Sequence, residues 1–273
     1  MLATRVKAVL IFIPLVLVMI WLGGWPFNLF ITAILLISGF EFSTLFKKIG
    51  YKPSPNLLLI GILLIILQRW FLDNFYLEIL ISLLILLTSI VALVQHESGR
   101  SNAAVNFAIN LMGILYIGWV GSFFIPFRNL PDATGWMLTA LPVVWLADCG
   151  AYFIGRWLGK KKMAPRLSPG KTWAGFAGGV LTGTLSGMLL ILLWRSIDWL
   201  PLQTPLWQGA VMGLLLSILT PIGDLLISLF KRTANVKDTG NLIPGHGGML
   251  DRIDSWIWAA MLGYYLVVFY SYL

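Results

Sequence analysis

Charge, cysteine and histidine are all scarce in this chain of 273 residues. Only 11% of the residues are charged, less than half of the roughly 25% found in soluble domains. Hydrophobic residues make up 59% and the mean hydropathy is +0.87, so the composition excludes a soluble domain and indicates an integral membrane protein. The single cysteine, Cys149, excludes an internal disulfide, and His96 and His246 are too far apart for a paired-histidine zinc motif.

Nine long apolar runs predict an all-α, polytopic bundle of transmembrane helices. Strands of a membrane barrel would instead alternate in polarity over ~10 residues. The approximate spans are 7–25, 27–46, 56–71, 76–95, 104–125, 136–154, 174–196, 206–230 and 255–273. The first run follows Arg5 and Lys7 like a signal peptide, but no small-residue cleavage pattern comes after it, so we expect a retained helix.

Basic residues predict the orientation of the bundle. A cytoplasmic N-terminus places sixteen of the 19 Lys and Arg residues on the cytoplasmic side and leaves only Arg69, Arg128 and Arg195 outside. This asymmetry follows the positive-inside rule, so the net charge of +8 needs no nucleic-acid partner. We expect a multi-pass membrane protein whose two most basic loops face the cytoplasm.

A single membrane domain is expected over residues 1–273. Its N-terminal helices occupy 1–135, and a catalytic part occupies 136–273 with cytoplasmic loops at 155–173 and 231–254. Gly175, Gly179, Gly183 and Gly187 form a stripe on one helix where neighbouring helices can approach closely. That helix should therefore be central.

Two acidic residues fall inside predicted helices, where a charge is costly and usually marks a function or a buried partner. Asp148 and Asp224 both lie roughly 10–12 Å below the cytoplasmic boundary at 1.5 Å per residue. Their common depth favours a shared polar cavity, although neutralisation by separate basic neighbours stays open. Pro221 should break the helix just before Asp224. Glu41, near a helix end, is expected to be solvated.

The two basic loops carry the residues most suited to phosphate chemistry. Ser168 to Thr172 reads Ser-Pro-Gly-Lys-Thr at a helix start, where backbone N–H groups and Lys171 can face phosphates. It is not a Walker P-loop, because the first glycine and the preceding strand are missing. The loop 231–254 mixes carboxylates, basic residues and glycines, which suits a nucleotide or pyrophosphate handled with Mg²⁺. For Lys160 to Lys162, topology signals or contacts with anionic lipids stay open.

These stretches resemble the phosphatidate cytidylyltransferase family. The C-terminal signature covers residues 228–255, with Ser228, Lys231-Arg232, Lys237-Asp238, Gly240, Pro244 to Gly248 and Leu250 to Ser255. A second stretch matches at Asp148, Ala151 to Phe153, Gly155, Gly159 and the Ser-Pro-x-Lys-Thr segment. The chain departs from the family at Ala174, where a glutamate is usual.

The resemblance implies that CTP and phosphatidic acid give CDP-diacylglycerol and pyrophosphate, with membrane lipids as surroundings and a homodimer left open. It implies Mg²⁺ or another divalent cation, with room for a second cation, held by Asp224 and Asp251 with Asp254 or Asp238 assisting. It also implies a multi-pass protein of a bacterial-type inner membrane, with its active site facing the cytoplasm. Catalytic roles are predicted for Asp224, Asp251, Lys171, Ser228, Lys231 and Arg232. Substrate binding is predicted for Ser168, Thr172, Lys237, Asp238, His246, Arg252, Asp254 and Asp148.

Three other functions are alternatives to cytidylyl transfer to phosphatidic acid. A CTP-dependent enzyme for another lipid phosphate is the nearest alternative, since the signature indicates CTP and metal more than lipid tails. A CDP-alcohol phosphotransferase would need an Asp-Gly-x-x-Ala-Arg run, which is absent. An ion-coupled transporter could use Asp148 and Asp224 near a broken helix, but it gives no reason for the signature loop.

Overall fold

The computed structural model describes residues 2–72, 75–197, 200, 202–242 and 247–273. In these ranges the chain is almost entirely helical, as predicted. The helices are α1 Leu2–Leu22, α2 Gly24–Lys47, α3 Pro55–Phe71, α4 Phe75–Glu97, α5 Ala103–Gly113, α6 Phe124–Arg128, α7 Ala133–Leu158, α8 Trp173–Arg195, α9 Leu206–Leu219, α10 Pro221–Thr233 and α11 Leu250–Tyr270. A short hairpin, β1 Lys162–Ala164 and β2 Ser168–Thr172, joins α7 to α8.

All nine predicted apolar runs are helical. Among the described residues, seven spans are long and apolar enough to cross a membrane, and Phe12–Leu22 and Pro55–Phe71 are shorter apolar helices. The run 104–125 is longer than predicted, because a π-helical turn at Ile114–Val120 and a 3₁₀ turn at Gly121–Phe123 continue α5 into α6.

Two predicted boundaries were wrong. The last helix begins at Leu250 rather than 255, because its first five residues include Asp251, Arg252 and Asp254, which interrupt the apolar pattern. The first cytoplasmic loop was placed at 155–173, yet α7 continues to Leu158 and the hairpin occupies most of the remainder. The predicted break at Pro221 is confirmed: α9 ends at Leu219, and α10 begins at the proline.

The chain divides into two compact units. One contains Met1–Ile125 with Phe230–Arg252, and the other contains Pro126–Leu229 with Ile253–Leu273. In the first unit, α2 packs on α3, and a Cβ placed on Gly39 would lie 2.9 Å from a Leu58 methyl carbon. Phe230 extends this core, with its ring centroid 5.7 Å from that of Phe42 and 5.5 Å from that of Phe46.

The second unit is built around α8, as the glycine stripe predicted. A Cβ on Gly175 would lie 2.6 Å from the Ala151 carbonyl oxygen, and one on Gly179 would lie 3.0 Å from the Ala147 carbonyl oxygen. Both contacts are with α7. On the α9 side, a Cβ on Gly183 would lie 2.7 Å from the Ser217 Cβ. The missing side chains therefore allow three backbones to pack closely.

Candidate active site

The second unit contains a polar cavity of about 550 Å³, hereafter the α7–α8 cavity. Its walls come from α7, the hairpin, the start of α8 and the start of α10. The lining includes two carboxylates, three basic side chains and two hydroxyl residues: Asp148, Asp224, Arg156, Lys162, Lys171, Ser168 and Thr172. Asp148 and Asp224 share one cavity, as their common depth predicted.

One face of α7 supplies a wall of this cavity. Asp148, Tyr152 and Arg156 are spaced four residues apart, so they lie on the same side of the helix. Nη1 of Arg156 donates a hydrogen bond of 3.2 Å to the Tyr152 hydroxyl oxygen, which orients both side chains. Along α7, the wall of the cavity therefore changes from an acidic group, the Asp148 carboxylate, to a basic one, the Arg156 guanidinium.

The hairpin supplies the Ser-Pro-Gly-Lys-Thr segment. Its strands pair antiparallel, with Lys162 opposite Thr172 and Ala164 opposite Ser168, and an irregularity lies between these pairs. Thr172 then caps α8, because its buried Oγ1 accepts a 3.1 Å hydrogen bond from the backbone N–H of Gly175. This cap orients the end of β2, which carries Lys171. Ala174, the departure from the family pattern, lies in the first turn of α8.

Lys171 and Asp224 form the charged centre of the cavity. Nζ of Lys171 lies 2.6 Å from Oδ2 of Asp224, and their side chains remain 26% and 34% exposed. Oδ1 of Asp224 accepts a longer hydrogen bond of 3.4 Å from the Ser228 hydroxyl, one turn later on α10. Asp148 lines the same cavity as this pair. This arrangement offers both a cation and accessible carboxylate oxygens to a polar ligand.

A second polar centre lies in the first unit and surrounds Asp251, whose side chain is 3% exposed. Oδ1 lies 2.7 Å from Nζ of Lys231. Oδ2 accepts hydrogen bonds from the backbone N–H of Thr239 at 2.8 Å, the Thr239 hydroxyl at 2.9 Å and the backbone N–H of Gly248 at 3.0 Å. Asp251 therefore ties Thr239 and Gly248 to the start of α11. These two residues belong to the segments 234–242 and 247–249, hereafter the signature loop.

Glu41 of α2 joins this second centre, contrary to the expectation that it is solvated. Its residue is 7% exposed. Oε1 accepts a 2.9 Å hydrogen bond from the backbone N–H of Met249. Oε2 accepts one of 2.9 Å from the N–H of Leu250. It also lies 3.1 Å from the Thr239 hydroxyl oxygen, whose single proton it shares with Oδ2 of Asp251. A charge near a helix end is solvated only when nothing packs on it, and here the signature loop does.

The remaining predicted site residues are dispersed. Asp254 is buried in the second unit, where its Oδ1 accepts a 2.6 Å hydrogen bond from the N–H of Ser255. The exposed predicted residues of the first unit are Arg232, Lys237, Asp238 and Arg252. His246 lies outside the described residues. Within the part of the chain that the structure describes, no group of three His, Cys, Asp or Glu side chains is arranged to hold a metal.

Sequence reasoning missed three cavity residues and one buried acid. Tyr152, Arg156 and Lys162 line the cavity, and the four-residue spacing after Asp148 could have identified the first two. Glu41 carried no such signal, because its partners lie about 200 residues away in the sequence.

Comparison with known proteins gives one consistent result. A family model described as "Cytidylyltransferase family" matches residues 3–270. The phosphatidate cytidylyltransferase of Bacillus subtilis (strain 168) is 34% identical over 280 residues, covering 98% of this chain and 97% of that protein. Those of Synechocystis sp. and Brucella suis biovar 1 are 31% and 35% identical, covering 97% and 96% of this chain and 96% and 92% of the relatives. The chain therefore belongs to the cytidylyltransferase family.

Proposed function

We propose that this protein is a phosphatidate cytidylyltransferase, which converts CTP and phosphatidate to CDP-diacylglycerol and pyrophosphate. The observation that carries the proposal is the similarity, along almost the whole chain, to relatives that bear this name. The α7–α8 cavity supports it, because it gathers Lys171, Lys162 and Arg156 beside two carboxylates in a membrane protein.

The reaction is a displacement at phosphorus. A phosphate oxygen of phosphatidate attacks the α-phosphorus of CTP, the bond between the α-phosphorus and its bridging oxygen breaks, and pyrophosphate leaves with that electron pair. Phosphate monoesters are largely ionised at pH 7, so no general base is needed. The protein must instead screen two anions and hold them in line. The basic side chains of the cavity can provide this screening, and Ser168 and Ser228 carry hydroxyl groups that can donate hydrogen bonds.

We also propose that a divalent cation such as Mg²⁺ assists. Asp224 fits this role, because its side chain is one-third exposed, it lines a cavity that Asp148 also lines, and Mg²⁺ prefers one or two carboxylates together with substrate phosphates. Its Oδ2 is paired with Lys171 and its Oδ1 accepts from Ser228, so ligation requires Lys171 to withdraw or to share Oδ2. When bound, the cation would neutralise phosphate charge. Asp251, the second ligand predicted from the sequence, has both oxygens engaged by Lys231, Thr239 and Gly248. Ligation by Asp251 stays a prediction, and it requires Lys231 to withdraw or to share Oδ1.

The membrane context indicates from where each substrate reaches the site. Seven candidate spans make a multi-pass protein, and the basic loops are proposed to face the cytoplasm of a bacterial cell, where CTP is available. Phosphatidate would reach the site from the lipid phase with its phosphate at the interface. A homodimer remains a proposal from the resemblance alone.

A transfer assay tests this function. Purified protein is incubated with phosphatidate in detergent micelles, CTP labelled in the cytosine ring, and Mg²⁺. We expect label in the lipid fraction and one pyrophosphate released per lipid labelled. EDTA should abolish the transfer, and excess Mg²⁺ should restore it. Parallel reactions with an isoprenoid phosphate test the nearest alternative, a CTP-dependent enzyme for another lipid phosphate. If the isoprenoid phosphate alone is labelled, that lipid and not phosphatidate is the substrate.

A further inference from the structure

We infer that Glu41 is a positioning residue, which holds the signature loop and the start of α11 in the geometry that phosphate binding needs. Nothing in the sequence motif includes Glu41, which lies on α2, far from the loop along the chain. The inference rests on the proposed function, because the sequence predicts that the signature loop handles a nucleotide or pyrophosphate, and CTP is the nucleotide of the proposed reaction.

The contacts of Glu41 are specific to the loop. Its two oxygens accept hydrogen bonds from the backbone N–H groups of Met249 and Leu250, and Oε2 shares the single proton of the Thr239 hydroxyl with Oδ2 of Asp251. The N–H groups are at the start of α11, where helical N–H groups lack intrahelical partners and a negative charge is favourable. One carboxylate thus serves as the cap of α11 and as a tie to the middle of the loop.

Loop glycines fit closely around this carboxylate. A Cβ added to Gly240 would lie 2.5 Å from Oε1 of Glu41, and one added to Gly248 would collide with Oε2 and with Thr239 Oγ1. Real Cβ atoms essentially never come so close. Both positions belong to the signature of residues 228–255, so the absence of side chains there is explained by the Glu41 carboxylate.

Glu41 is also coupled to the charged pair of the loop. The Thr239 hydroxyl lies 3.1 Å from Oε2 of Glu41 and 2.9 Å from Oδ2 of Asp251, which pairs with Lys231. Movement of the Glu41 carboxylate therefore disturbs the hydrogen bonds that hold Asp251 and, through them, Lys231. This connection is how a residue of α2 would act on phosphate binding without touching the substrate.

The test compares Glu41→Gln with Ser38→Ala. In Glu41→Gln, the amide N–H₂ must face at least one of the two backbone N–H donors, so a hydrogen bond and the charge are lost. Ser38 is another buried residue on the same helix, and its hydroxyl donates to the Ile34 carbonyl oxygen of that helix. Hydrogen exchange of the peptide spanning 239–250 should accelerate in Glu41→Gln and stay at the wild-type rate in Ser38→Ala.

Kinetics add the readout that a merely structural residue would not move. In Glu41→Gln the KM for CTP should rise by about tenfold or more, while the KM for the lipid phosphate stays unchanged. A variant that melts earlier but keeps wild-type KM values per folded molecule would overturn the inference, as would unchanged hydrogen exchange. If Glu41→Gln does not purify, Thr239→Val removes only the shared hydroxyl and should produce the same changes more weakly; wild-type behaviour of that variant would likewise overturn the inference.

Failure of the proposed function has a different signature. If the wild-type protein transfers no cytidylyl group, the exchange comparison still decides whether Glu41 orders the loop. Faster hydrogen exchange of the loop in Glu41→Gln, in a protein without transferase activity, would show that Glu41 orders the signature loop. It would also show that this ordering does not serve cytidylyl transfer.

Discussion

At the scale of single residues, a few polar side chains set the geometry of both polar centres. Asp148 and Asp224 could be placed in one cavity from the sequence, because each lies about the same number of residues below a basic helix end. Glu41 could not be placed, because its hydrogen-bond partners come from the other end of the chain. Distances along one helix are readable from the sequence, whereas tertiary hydrogen bonds are not.

Asp251→Asn should destabilise the protein as well as change its chemistry. An amide nitrogen in place of Oδ2 would face the N–H groups of Thr239 and Gly248, and in place of Oδ1 it would face the Lys231 ammonium. Removing one partner of a buried pair costs about 3–5 kcal/mol, which thermal unfolding in detergent measures. The neighbouring exposed change Arg252→Gln should alter the free energy of unfolding by no more than about 0.5 kcal/mol. Wild-type stability of Asp251→Asn would contradict the anchoring described for this carboxylate.

At the scale of elements, apolar runs predicted the helices well, and polar segments were predicted poorly. Each run of apolar residues must be helical in lipid, because its backbone groups have no water to bond. The hairpin was missed because its lysines, proline and glycine give no strand alternation, and its pairing depends on the ends of α7 and α8. The start of α11 was missed because its first turn serves the loop rather than the membrane.

The packing of α8 yields a prediction about its glycines. Gly183→Ala would place a Cβ 2.7 Å from the Ser217 Cβ and 3.2 Å from the Ala147 Cβ, so α9 or α7 must shift. Overpacking of this kind costs about 1–3 kcal/mol, to be measured as a lower unfolding temperature. Leu181→Ala alters a side chain of the same helix that is 59% exposed and should have little effect. Equal stability of the Gly183→Ala variant and the wild type would contradict the close packing of α8 against α7 and α9 at this position.

Ala174, where the family usually has a glutamate, gives a second prediction for the same helix. It lies in the first turn of α8, where a carboxylate is stabilised by the helix dipole at about 0.3–1 kcal/mol. We expect Ala174→Glu to raise the unfolding temperature slightly, and the transfer assay reports whether it also raises activity. A lower unfolding temperature would show that the first turn of α8 does not accommodate the charge.

For the whole molecule, the central prediction from charge is orientation. In a Cys149→Ser background, cysteines at Lys161 and Asn241 should react with an impermeant maleimide in inside-out vesicles only. A cysteine at Asn129, in the turn between α6 and α7, should react in intact cells only. All three positions are exposed, so accessibility within the protein is matched. Labelling at Asn241 in intact cells would show that the topology is the reverse of the one proposed. The signature loop would then have no access to cytoplasmic CTP.

Asp224 is the residue on which the proposed transfer site depends most. Asp224→Asn keeps the shape of the side chain and can still accept from Ser228, and it leaves a Lys171 that is 26% exposed and can be solvated. The matched control is Asp132→Asn, the same chemical change at the opposite end of α7, where φ is 52° and asparagine is well tolerated.

The decisive measurement is turnover per folded molecule for these two variants, with thermal unfolding recorded on the same preparations. If Asp224 acts on the reacting phosphates through charge, Asp224→Asn should lose transfer by at least about 10²-fold while its unfolding temperature stays close to that of the wild type. Asp132→Asn should keep wild-type turnover. An Asp224→Asn protein that is destabilised, yet transfers the cytidylyl group at the wild-type rate per folded molecule, would contradict the assignment of the α7–α8 cavity as the active site.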